Sequence, residues 1–178
     1  MHTVANRITF ARIIFIPIFI ALLISDLPYR QWLAAAVLAL IAASDGLDGY
    51  LARSLNQVSD LGKILDPLAD KLVIAAALIV LIQITDLPVW VVVVIISREL
   101  IVTWLRWLAA RRKVVISASP LGKAKTVFQI TAIFFWIFNF DNPIFFTLSW
   151  TFISVAIILS IVSAIDYFTK FRKIWALR

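Results

Sequence analysis

The sequence predicts an all-α integral membrane protein of six transmembrane helices, and three observations carry that prediction. Of its 178 residues, 63% are hydrophobic and only 15% are charged, against roughly 25% charged in an average soluble domain. Apolar runs recur along the chain, and about 20 such residues cross a hydrocarbon core of roughly 30 Å. The polar segments between the runs alternate between basic and acidic. With a mean hydropathy of +1.01, a water-soluble fold has nowhere to bury this much apolar surface, so the lipid bilayer is the expected solvent.

Taken in order, the spans fall near residues 6–24, 31–55, 60–84, 88–110, 120–140 and 144–168. Arg7 and Arg12 give the first run the charge pattern of a signal peptide. No small-residue cleavage site follows it, and Asp26-Leu27-Pro28 reads as a turn into the second span. Ser119-Pro120 opens the fifth span as a cap followed by proline at the first helical position. The segments from Arg53 to Lys63 and from Arg106 to Lys125, and the tail with Lys170, Arg172, Lys173 and Arg178, are basic. Those around Asp26, Asp86 and Asp141 contribute only Arg30. By the positive-inside rule the basic set, with both termini, faces the cytoplasm of a bacterial inner or plasma membrane. Trp32, Trp90, Trp136 and Trp150 then fall near outer helix ends, as interfacial anchors. Asp166 is placed to pair with Lys170 one turn on. Nothing Ser/Gly-rich divides the chain, and residues 1–178 read as one domain.

The net charge of +7 does not imply nucleic acid, because the cations flank apolar helices; anionic headgroups and phosphate substrates fit them better. Cysteine is absent and His2 is the one histidine, which excludes disulfides and thiolate or histidine-rich metal sites.

Acidic side chains inside a span cost several kcal/mol and are usually functional. Asp45 and Asp48, at i, i+3, share a face of the second span, and Asp66 and Asp70, at i, i+4, share a face of the third. With a turn near Asn56 to Ser59, both pairs sit roughly 12 to 18 Å from it at helical rise. Four carboxylates at one level suppress one another's ionisation unless cations intervene. An all-oxygen donor set selects Mg²⁺ or Mn²⁺. The expected site is therefore a polar, metal-containing cavity near the cytoplasmic side. Gly46, Gly49 and Gly62, three of four glycines in the chain, suit either a substrate close to backbone or close helix packing.

Asp45, Asp48-Gly49, Ala52-Arg53, Gly62, Asp66 and Asp70 resemble, in spacing and identity, the signature of the CDP-alcohol phosphotransferases, and the six-helix layout extends the likeness over nearly the whole chain. The resemblance implies that Asp45, Asp48, Asp66 and Asp70 bind two divalent ions holding a CDP diphosphate. It makes Asp70 the base for the acceptor hydroxyl, puts Gly49, Ala52, Arg53 and Gly62 along the CDP site, and implies a homodimer. A cation transporter would spread its acids across the bilayer, whereas these cluster toward one side beside Arg53.

The acceptor is read from a second polar cluster. Arg98 and Glu99 lie near mid-span in the fourth helix, where an arginine should face a polar cavity or a carboxylate. Glu99, Thr103 and Arg106 form one stripe at i, i+4, i+7. Lys123 and Lys125 enter the first turns of the fifth helix, whose free N–H groups favour anions, although the same lysines also satisfy the positive-inside pattern. Arg98, Lys123, Lys125 and Arg106 are the expected contacts to an acceptor's own phosphate. The substrates implied are CDP-diacylglycerol and sn-glycerol 3-phosphate. Asn6-Arg7-Ile8-Thr9 through Arg12, Ser97-Arg98-Glu99 and Gly122 to Thr126 are similar to family members that use this acceptor, although Trp107 follows Arg106 where many of them carry glutamate. Members using phosphatidylglycerol or inositol phosphate are the alternatives within the family.

Overall fold

The computed structural model describes residues 4–54, 60–111, 120–138 and 143–176 and, within these, side chains other than those of 4–8, 45–54, 60–66 and 173–176. Six helices run in sequence: α1 (Val4–Ile24), α2 (Arg30–Ser54), α3 (Asp60–Ile84), α4 (Val89–Arg111), α5 (Pro120–Ile137) and α6 (Pro143–Ala176). α5 and α6 each begin on proline, which sacrifices no helical hydrogen bond at that position. The chain after α1 and the chain after α3 turn on the same tripeptide, Asp26-Leu27-Pro28 and Asp86-Leu87-Pro88. In the first, Tyr29 takes a left-handed φ of 64°, the Arg30 N–H donates to the Leu27 carbonyl at 3.2 Å, and Arg30 Nη1 donates to the Ser25 carbonyl at 2.7 Å. Thr85 closes α3 by donating through both its N–H and its Oγ1 to the Leu81 carbonyl.

The helices group into two compact units, residues 1–86 with 136–142, and residues 87–135 with 143–178. In the first, α1 packs against both α2 and α3. Its buried seam is Thr9, Arg12, Ile16, Phe19 and Leu23, at alternating three- and four-residue steps. Buried Ala34 and Ala35 on α2 and Ala69 and Ala77 on α3 are small enough for backbones to approach closely. Trp32 on α2 meets the edge of Phe138, with ring centroids 4.9 Å apart.

In the second unit α4 packs against α6, and the two buried seams share one spacing. Val91, Ile95, Arg98, Val102, Leu105 and Ala109 on α4 match Ser149, Ile153, Ala156, Ser160, Ser163 and Tyr167 on α6. Tyr167 packs with Val102 and Ala109. Phe135, near the end of α5 in this unit, stacks with Phe145 and Phe152 of α6.

The residues opposite these seams are apolar as well: Ile14, Leu40, Ile79, Val93, Leu100, Val127 and Ile158 are all exposed. Faces of this kind are stable in contact with lipid and costly in contact with water. Among the described residues, Pro67–Ile84 and Pro143–Arg172 are long and apolar enough to cross a membrane, and Thr9–Ile24 and Arg30–Ser44 are apolar but shorter. Trp136, expected as an outer anchor, is instead fully buried, on the face of α5 that also carries Ala132 and Ile133. The last helix continues to Ala176 rather than ending near residue 168, with Lys170 Nζ 2.7 Å from Asp166 Oδ2 along its exposed face.

Candidate active site

Asp45, Asp48, Gly49, Ala52 and Arg53 lie in α2, and Gly62, Asp66 and Asp70 in α3. α1 is the neighbour that packs on both of these helices. The side chains of Asp45, Asp48, Ala52, Arg53 and Asp66, and the connection through Asn56, lie outside the described residues. Asp70 is described and partly exposed. Its Oδ1 accepts a hydrogen bond from Arg12 Nη1 in an ion pair that links α1 to α3.

Arg12, which the sequence places in a segment similar to family members and among the charges at the first apolar run, was not expected to meet Asp70. Its side chain is 1% exposed, and a guanidinium so enclosed is tolerable only against a carboxylate or several acceptors. The signal was present in the helical period. Thr9, Ile16, Phe19 and Leu23 mark the buried seam, and Arg12 falls on it three residues after Thr9 and four before Ile16. A cation on the packed stripe of an apolar helix calls for an acid on its neighbour.

Among the described residues no three carboxylate or histidine side chains are gathered, three of the four aspartates having side chains outside them. The donor set itself fits a hard divalent cation, with oxygen ligands only and, among the described residues, the buried Arg12 facing Asp70.

The second cluster joins α4, α5 and α6 within the other unit. Arg98 is buried and donates from Nε to the Ser160 carbonyl at 3.1 Å, from Nη1 to Glu99 Oε1 at 3.1 Å, and from Nη2 to Ser163 Oγ. Lys125, also buried, pairs with the same Glu99 Oε1. Two buried cations thus share one carboxylate oxygen. Gln129, one turn beyond Lys125 on α5, is fully buried, and neither its Oε1 nor its Nε2 has a hydrogen-bond partner among the described residues. Of the other expected phosphate contacts, Lys123 and Arg106 are exposed. Thr103 Oγ1 donates to the Glu99 carbonyl at 2.6 Å, as the polar stripe along α4 anticipates.

The paired acids thus lie in the sequence of α2 and α3, and the buried cations of the second cluster on α4 and α5. The chain belongs to the CDP-alcohol phosphatidyltransferase family, whose sequence model matches residues 2–162. It is 41% identical to the CDP-diacylglycerol–glycerol-3-phosphate 3-phosphatidyltransferase of Bacillus subtilis, over 96% of this chain and 95% of that one. Proteins of the same name from Pseudomonas fluorescens and Rickettsia bellii are 37% and 34% identical, over 92% and 94% of this chain and 87% and 94% of theirs.

Proposed function

We propose that this enzyme transfers the phosphatidyl group of CDP-diacylglycerol to sn-glycerol 3-phosphate, releasing CMP and forming phosphatidylglycerophosphate in phospholipid synthesis. The observation that carries the reading is the eight-position aspartate pattern from Asp45 to Asp70, lying across α2 and α3 of a chain that matches the family over residues 2–162. The names of the relatives supply the acceptor.

In this reading Asp45, Asp48, Asp66 and Asp70 would hold two divalent ions, Mg²⁺ or Mn²⁺, whose charge offsets that of the diphosphate and the departing CMP. Gly49, Ala52, Arg53 and Gly62 line the CDP site. Asp70 accepts the proton of the acceptor hydroxyl as its oxygen bonds to the phosphorus bearing diacylglycerol; the bond from that phosphorus to the CMP oxygen breaks. Positioning and electrostatics supply most of the acceleration in such transfers.

Arg98 and Lys125 hold the acceptor's phosphate, being two buried cations on α4 and α5 that meet at one carboxylate oxygen. Lys123 and Arg106, both exposed, serve its approach. All six helices span the membrane, with both termini and the active site on the cytoplasmic side. The acyl chains then stay in the bilayer while the soluble alcohol arrives from water. The protein works as a homodimer.

The test is CMP release by purified protein given CDP-diacylglycerol, Mg²⁺ or Mn²⁺, and a panel of alcohols. Release with glycerol 3-phosphate alone is expected. Release with phosphatidylglycerol or inositol phosphate instead replaces the acceptor, and no release with any alcohol rejects the activity.

A further inference from the structure

We infer that Arg12 is a positioning residue for Asp70, constraining how its carboxylate is turned toward the acceptor hydroxyl; this rests on the reading of Asp70 as the base. The two partners differ in exposure. The Arg12 side chain is 1% exposed and the Asp70 side chain 37% exposed. Arg12 sits in the α1 seam between Thr9, fully buried, and Ile16, 7% exposed. An arginine packed along its length cannot follow a moving partner, so the enclosed member sets the position of the open one.

An aspartate on a helix turns freely about its last torsion unless something holds it. The bond from Nη1 to Oδ1 is one such restraint. It comes from a different helix, so the orientation of Asp70 depends on how α1 lies against α3 and not on α3 alone. A guanidinium donates in a fixed plane, whereas an ammonium does not, so lysine at this position would keep the charge and lose the direction. Arg12 thereby acts on the reacting atoms through Asp70 and not by touching them.

The experiment has two arms on the full-length protein in detergent. In the first, melting temperatures are measured without divalent metal for wild type, Arg12→Gln, Asp70→Asn and the double variant. If the pair is coupled, the double variant loses clearly less than the sum of the two single losses; additive losses overturn the inference. This arm does not depend on any activity. In the second, CMP release is measured with metal for Arg12→Gln and Arg12→Lys, each normalised to folded protein. Misplacing a catalytic group by about 1 Å costs on the order of 100-fold in rate. The expected result is therefore a fall in kcat of about 10- to 100-fold for Arg12→Gln, with both KM values within about threefold of wild type and partial recovery in Arg12→Lys. Unchanged kcat in folded Arg12→Gln makes the residue merely structural and overturns the inference. A selective rise in KM for CDP-diacylglycerol also overturns it, by making Arg12 a substrate contact. If wild type releases no CMP with any alcohol, the functional reading fails, while the first arm still decides whether the pair is coupled.

Discussion

The ammonium of Lys125 on α5 pairs with Glu99 on α4, and the same oxygen accepts from Arg98 at 3.1 Å, so one half-buried acid meets two buried cations. Removing the acid leaves both charges to be satisfied by something else. Glu99→Gln should melt at a lower temperature than wild type, because an unpaired buried charge is costly. It should also gain more thermal stability than wild type from added glycerol 3-phosphate, whose phosphate would restore the balance. Equal stabilisation of the two proteins by the ligand would mean that this cluster does not receive the acceptor's phosphate.

The same arrangement separates the roles of the two cations from those of the exposed ones. Lys125→Ala and Arg98→Ala should raise the KM for glycerol 3-phosphate by about 10- to 100-fold, the range of one or two charge-assisted hydrogen bonds shielded from water. CDP-diacylglycerol should be affected far less. Lys123→Ala and Arg106→Ala, being exposed, should change it by less than about fivefold, with an effect that fades as salt rises. Steady-state kinetics with each substrate varied in turn distinguishes these cases. If Lys125→Ala weakens only the nucleotide substrate, the two phosphate sites have been assigned the wrong way round.

Asp45→Asn, Asp48→Asn, Asp66→Asn and Asp70→Asn should each abolish most CMP release while leaving the protein folded and inserted, since each removes one carboxylate from a set that must face cations. Chelation of divalent metal should abolish wild-type turnover, and Mg²⁺ or Mn²⁺ should restore it. Near-normal turnover in any two of the variants, or full activity after chelation, would remove the site.

The orientation is open to labelling because the chain contains no cysteine. Cysteines replacing Asp26 or Asp86, both exposed in the turns after α1 and α3, should react with a membrane-impermeant reagent from outside the cell. Cysteines replacing Arg111 at the end of α4 or Lys170 on α6 should react only from the cytoplasmic side. The reverse pattern would place the acids away from soluble cytoplasmic substrates.

The six helices were legible because each apolar run is long and bounded by charge or proline; the third occupies residues 60–84, as expected. The end of α6 was not, because Lys170, Arg172 and Lys173 terminate the hydrophobic run without supplying glycine or proline to terminate the helix. That the four aspartates lie in helices was legible from the apolar runs around them. Arg12 was not, because a lone arginine near a helix start has the same appearance whether it faces headgroups or a carboxylate. Only the partner helix, 58 residues away in sequence, distinguishes the two. Trp136 was misjudged for a related reason: distance from the helix end sets its depth, whereas the face of α5 it occupies sets whether it meets lipid or protein.

Gln129 tests the packing of α5 directly. It lies on the buried face one turn from Lys125, and its amide has no hydrogen-bond partner among the described residues. A buried polar group left without partners costs about 1 to 3 kcal/mol, and an apolar side chain of similar size removes that cost. Gln129→Leu should therefore melt no lower than wild type. A gain of about 2 to 4 °C is expected for each kcal/mol recovered in a chain of this length. Gln129→Ala, which removes the amide but leaves a cavity, should melt below Gln129→Leu by an amount set by the lost packing. A lower melting temperature for the leucine variant would show that the amide is bonded in the folded protein. If stability is kept but CMP release falls, with a raised KM for glycerol 3-phosphate, the amide contacts the acceptor beside Lys125. Its burial would then reflect substrate recognition instead of packing.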